Sequence, residues 1–144
     1  EIANYESSRI NELVESGDDF AFESTLSGRA YTRLFRRLRE SGYDIVLFYL
    51  WIPGVEFSAE RVASRVENGG HDIPPDAIVR RYIKSLCNLF NLYIPLANRT
   101  LIFDNSAEMA KLVADLQPSE EHVLDKALFA AIKRQVQEAD HEHQ

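Results

Sequence analysis

The 144 residues suggest one ordinary domain, long enough to bury a sizeable core, and no apolar run approaches the length needed to cross a bilayer. Hydrophobic residues at 45% and charged residues at 27% are globular values, so a soluble chain is expected. The 23 acidic against 16 basic residues give a net charge of -7, which argues against a general nucleic-acid binder or a protein of anionic membranes and makes any polyanion site local.

In chain order the pattern is α/β. Residues 3–16 carry Ile10, Leu13 and Val14 at helical spacing and stop at Gly17, a residue common just past a helix end. Phe20, Ala21 and Phe22 predict a short buried strand over 19–23. A helix is predicted over 29–41, with Tyr31, Leu34, Phe35 and Leu38 inward and Arg29, Arg33, Arg36 and Arg37 mostly outward. The run "DIVLFYLWI", 44–52, is almost continuously apolar and reads as a central parallel strand covered on both faces. Ser58 can cap a helix that runs to Val66, Gly69 and Gly70 break it, and a second helix starts near Pro75, where proline is tolerated in the first turn. Apolar residues from Ile78 to Tyr93 at steps of three and four pack that helix on the core. A strand over 99–105, an edge strand over 111–116 and a helix over 119–138 complete a single α/β domain spanning 1–138. The tail 139–144 is expected to be disordered.

The chemistry gathers at element ends. Glu23, Thr25 and Ser27 follow the first predicted strand, the place where open parallel sheets hold ligands. A carboxylate there can hold a Mg²⁺-bound water or a substrate hydroxyl, and the hydroxyls beside a helix start can receive an anion. The plainer alternative makes Ser27 a helix cap and Glu23 a solvated strand end. In "VENGGHDIPPDAIVRRY", 66–82, the glycine pair gives the backbone freedom and Pro74 and Pro75 stiffen the return, a composition compatible with a hinged lid. Arg61 and Arg65 lie four apart on one helical face, and Arg80 and Arg81 open the next helix. Guanidinium forks match phosphate oxygens and stabilise charge on a transferring phosphoryl group. The alternative is a solvated hairpin whose arginines pair with Glu60, Glu67 and Asp76.

Five stretches in order, "FAFESTLSG", "GYDIVLFYLW", "ERVASRVENGGHDIP", "VRRYIKSLCNLFNLYIPL" and "FDNS", resemble the zeta-toxin-like P-loop kinases over residues 10–106. The resemblance implies a three-layer kinase core with a parallel sheet, a lid at about 66–82, a small-molecule substrate such as a nucleotide-activated sugar, and ATP with Mg²⁺ as co-substrate and cofactor. It implies catalytic roles for Arg65, Arg81 and Glu23, substrate contacts from Glu23, Thr25 and Ser27, and nucleotide contacts from Arg61, Arg80, Asp104 and Asn105. An antitoxin partner or self-association is a further implication.

The chain departs from this pattern in one respect: no G-x-x-x-x-G-K-[ST] occurs in it. The family's first strand and phosphate loop are therefore expected before Glu1, either cut away or lost in a degenerate homologue. These residues alone are expected neither to bind ATP tightly nor to transfer phosphate.

Other features have plainer readings. The lone Cys87 permits no internal disulfide, which fits a reducing, cytoplasmic setting, and its apolar neighbours make it an inert helix residue. Trp51 is read as core, His71 as a lid-turn residue, His122 as a helix-surface residue, and His141 with His143 as too closely spaced for a helical metal site, so no metal site is expected. The arginines of 29–39 are too few against the acidic total to predict nucleic-acid binding.

Overall fold

Two parallel strands and the helical crossover between them frame the molecule. The computed structural model describes residues 2–70 and 73–142. Helix α1, Ile2–Ser16, and helix α2, Tyr31–Glu40, precede strand β1, Val46–Trp51. Helix α3, Val55–Glu67, and helix α4, Pro75–Asn88, lead through a π-helical turn, Leu89–Tyr93, and a 3₁₀ turn, Ile94–Leu96, into β2, Arg99–Asp104. Strands β3, Lys111–Gln117, and β4, Glu120–Val123, and helix α5, Lys126–Glu142, follow.

The sheet has the order β1-β2-β3-β4. Among the described residues only β1 and β2 are parallel, Val46 opposite Arg99 through Trp51 opposite Asp104. β3 runs antiparallel to β2 and β4 antiparallel to β3, so the expected parallel sheet is a mixed one. A parallel pair needs a long crossover, and 52–98 supply it. Asn98 fixes where the pair begins: its side-chain oxygen accepts from the Ile45 amide at 2.8 Å, and its own amide donates to the Ile45 carbonyl at 2.9 Å.

Four predicted elements are corrected. Residues 19–23 are extended but pair with no strand among the described residues, because Phe20 and Phe22 turn toward Tyr43 and Tyr31 instead, with ring centroids 5.9 and 5.1 Å apart. β1 is an edge strand, and β3, expected at the edge, is interior. The single helix expected over 119–138 is a strand and a helix: Pro118 and Ser119 form a two-residue hairpin connection into β4, and α5 starts only where Asp125 caps it by accepting from the Leu128 amide at 3.0 Å. α5 continues to Glu142, into the stretch expected to be disordered.

Alternation along β1 divides its side chains. Tyr49 bonds Ser85 of α4 at 3.0 Å and the Trp51 indole donates to Gln135 of α5 at 3.2 Å, so these side chains lie under helices. Leu89, Tyr93, Ile102, Ala114 and Ile132 are fully buried beside them, and the Phe35 ring of α2 meets Tyr93 edge-on at 5.3 Å. Among the described residues nothing covers the other face of β1, where Val46, Phe48 and Leu50 are 46%, 67% and 56% exposed.

Candidate functional site

The sequence-predicted residues fall into two groups held by different ends of α4. Tyr82, in its second turn, donates to the Ile52 carbonyl just past β1 at 3.1 Å, whereas Tyr49 at mid-strand meets Ser85. The helix therefore starts at the C-terminal ends of β1 and β2 and runs back toward their beginnings. Arg80 and Arg81 lie at the C-terminal end of the parallel pair, the end where open α/β sheets generally bind ligands.

At that end the Asn105 amide donates to the Trp51 carbonyl at 2.8 Å, joining the two strand ends. The Asp104 carboxylate accepts from the Ser106 amide at 3.0 Å, which folds the chain sharply after β2. Arg61 of α3 donates from Nη2 to the Asn105 carbonyl at 2.6 Å. Three of the four predicted nucleotide-binding residues, Arg61, Asp104 and Asn105, are thus brought together. Arg80 instead reaches Asp76 on its own helix at 3.7 Å, the local pairing that the plainer sequence reading anticipates. Arg65 and Arg81 are exposed and make no ion pair among the described residues.

The glycine pair ends α3 by a specific device. Gly69, at φ +89°, donates to Val66 at 3.0 Å, and Gly70 donates to Arg65 at 2.7 Å, the paired bonds that satisfy the last carbonyls of a helix. A Cβ on Gly70 would stand 2.8 Å from the Arg65 carbonyl oxygen, so both positions require glycine. Pro75 begins α4 in its first turn, as expected. His71 lies outside the described residues, as does His143.

Glu23, Thr25 and Ser27 occupy a loop fixed to the far end of α4. Asn88 donates to the Leu26 carbonyl at 2.8 Å and the Tyr93 hydroxyl to the Gly28 carbonyl at 2.6 Å. Within the loop Thr25 and Ser27 share a hydroxyl bond of 2.8 Å, and the Ser24 hydroxyl accepts from the Leu26 amide at 3.1 Å. These bonds hold Leu26 at φ +54°, a backbone state unusual for leucine, with its side chain buried in the core. Ser27 does not cap α2, which starts after Ala30 without a side-chain cap. Seven residues of α4 separate Arg81 from Asn88, about 10 Å of helix axis, so the hydroxyl-bearing loop and the arginine end are distinct places.

Sequence reasoning missed the anchors. Asn88 and Tyr93 were readable only as members of an apolar helical run, and the signal available was a polar Asn within "SLCNLFNLY". Two hollows flank these groups. One of about 300 Å³ between α1 and α2 is lined by Asn11, Arg33, Leu34 and Arg37; the other, about 280 Å³ between α4 and α5, by Tyr82, Leu86, Cys87, Gln135 and Glu138. Arg37 is engaged with Asn11 at 2.7 Å, so the arginine face of α2 is partly used within the fold.

Titration behaviour follows burial. The Tyr49 hydroxyl is pushed up to about 12, first by burial, with its bond to Ser85 acting the other way. Burial also raises Tyr82 and, together with nearby Asp140, Cys87, so that thiol is not activated as a nucleophile. Among the described residues no three His, Cys, Asp or Glu side chains cluster as metal ligands. No helix among the described residues is long and apolar enough to cross a membrane.

A family model described as Zeta toxin matches residues 3–115. An uncharacterized protein of Haemophilus influenzae is 38% identical over 63 residues, which cover 44% of this chain and 45% of that protein. The chain thus matches less than half the length of this curated relative. No solved structure matches it.

Proposed function

The chain belongs to the zeta toxin family, a P-loop kinase-related group, and we propose that it carries the substrate loop and arginine lid of a cytoplasmic, ATP-dependent small-molecule kinase. The observation that carries this reading is the joining of α3 to the strand ends through Arg61 and Asn105, at the end of a parallel pair where α/β sheets bind ligands. In the proposed reaction a substrate hydroxyl oxygen bonds to the γ-phosphorus of ATP and its proton passes to solvent, the bond from that phosphorus to the bridging oxygen breaks, and ADP leaves. Arg65 and Arg81, both exposed, supply guanidinium groups to the transferring phosphoryl as the lid closes. Arg61, Arg80, Asp104 and Asn105 hold the nucleotide; Glu23 orients the substrate hydroxyl, with Thr25 and Ser27 beside it, and closure of the arginine lid spans the separation between that loop and the arginine end. A nucleotide-activated sugar is the proposed substrate class.

Glu23 alone does not make a site for Mg²⁺, which takes several oxygen ligands, so the ion fits as a companion of the nucleotide phosphates. The phosphate-cradling loop is not among these 144 residues, and the chain alone should transfer no phosphate. Calorimetric titration of Mg-ATP into this chain and into the whole gene product tests the proposal. Binding confined to a longer product supports it; no binding by either refutes it.

A second reading is a non-catalytic, degenerate relative that associates with itself or with a protein partner, an antitoxin included. The exposed apolar residues of β1 favour it.

A further inference from the structure

The side chains proposed to meet the substrate have little of their own to hold them. The exposed Glu23 carboxylate makes no hydrogen bond or ion pair among the described residues, and the exposed Thr25 hydroxyl bonds only within its loop, to Ser27. Where both groups point is therefore decided by the backbone of 23–28.

That backbone turns on Leu26, whose φ of +54° lies in a region that leucine rarely enters and keeps only under restraint from its surroundings. The two backbone dihedrals of a residue are rotations of the rigid peptide planes before and after it. The plane before Leu26 is held locally, its amide donating to the Ser24 hydroxyl at 3.1 Å. The plane after it is held from 62 residues away, where Asn88 Nδ2 donates to the Leu26 carbonyl at 2.8 Å. The same nitrogen reaches the Gly28 carbonyl at 3.5 Å, and the Tyr93 hydroxyl donates to that carbonyl at 2.6 Å. A carboxamide suits this place because one nitrogen offers two N–H groups, one toward each carbonyl; an aspartate of the same shape offers none.

We propose that Asn88 is a positioning residue for the phosphate acceptor, with Tyr93 as a second anchor. It touches no reacting atom. It fixes the plane that follows Leu26, and so sets the direction in which Thr25 and Glu23 are presented to the substrate hydroxyl. With the donor gone, that plane is free to turn, Leu26 relaxes to negative φ, and the two side chains lose their common aim. The inference rests on the kinase reading above.

Asn88→Asp, which keeps the shape and removes the donor, tests it, with Tyr93→Phe as the second variant should the first fail to fold. In this chain the carbon NMR shifts of Leu26 report the sign of its φ. They should show the left-handed state in the wild type and lose it in Asn88→Asp; shifts unchanged in both variants would overturn the anchoring. In the whole gene product, with ATP and a UDP-linked sugar as the probe, Asn88→Asp should lower kcat/KM for the sugar roughly 10- to 100-fold. The KM for ATP should change by less than about twofold, and Asn88→Gln, which keeps the donor on a longer arm, should recover part of the loss. An equal loss toward sugar and ATP would mean a general loss of structure and overturn the positioning role. A wild-type product that leaves the sugar unphosphorylated would sink the kinase reading and the role of Asn88 in it, while the NMR result would still decide what holds the loop.

Discussion

The two faces of β1 carry alternate residues of one hexapeptide and have opposite fates. Tyr49 and Trp51 lie under α4 and α5, where hydroxyl and indole groups find partners as well as cover, and Leu47 packs against the core. Val46, Phe48 and Leu50 are equally apolar and remain in water. Burial here is decided by what the crossover helices reach, and hydrophobicity alone does not decide it. The inner face should therefore control folding, and the outer face should not.

The largest expected effect tests the inner face. Ile102→Ala, at a fully buried position of β2, should cost about 2–5 kcal/mol, read from chemical denaturation. A loss below about 1 kcal/mol would mean that this face is not the core. Next comes alkaline pH. Because the folded-state value of Tyr49 is raised to about 12, its contribution is complete below the ordinary tyrosine value near 10 and is lost as pH rises toward 12. Roughly 2–3 kcal/mol should disappear over that interval, and Tyr49→Phe should remove this part of the pH dependence.

Smaller still is the pair at the strand margin. Arg99 binds Asp115 at 2.6 Å and, through that hydrogen bond first, holds the Asp115 carboxyl below its ordinary range. The pair's contribution is present above the ordinary carboxylate value and is lost as pH falls through the lowered one. Arg99→Ala should accordingly remove a slight acid-limb slope in an unfolding-versus-pH series, no more, since the Arg99 side chain is about half exposed. The smallest effect belongs to the outer face: Phe48→Ala, measured at concentrations where the chain is monomeric, should change stability by no more than about 0.5 kcal/mol. A loss comparable with that of Ile102→Ala would break the comparison between the faces.

How far the sequence disclosed this arrangement varies with the physical signal. Helices α1, α2 and α4 and strand β2 were legible because periodicity, Gly17 and Pro75 all agreed with the local structure. The run 44–52 predicted a strand correctly and its position wrongly, since a continuous apolar run looks the same whether both faces are covered or only one. The hairpin into β4 was hidden because "EEHV" lacks a strand's usual composition and depends on pairing with β3. At the candidate site Arg61, Asp104 and Asn105 were legible as individual residues. Their meeting depends on the Asn105 carbonyl, a backbone group that side-chain motifs do not reveal.

The π-helical turn at Leu89–Tyr93 has a consequence for insertions and deletions. Its wider winding, with bonds reaching one residue farther than in an α-helix, lets Leu89 and Tyr93 both be fully buried while Asn88 and the Tyr93 hydroxyl grip the same loop. An α-helix winds at about 100° per residue, so removing one residue there would change the angle between Asn88 and Tyr93 that lets both reach the same loop. Loss of a single codon at this place should thus do more harm than exchange of any one exposed side chain, and the reading length of 89–93 is itself a part specified by the fold.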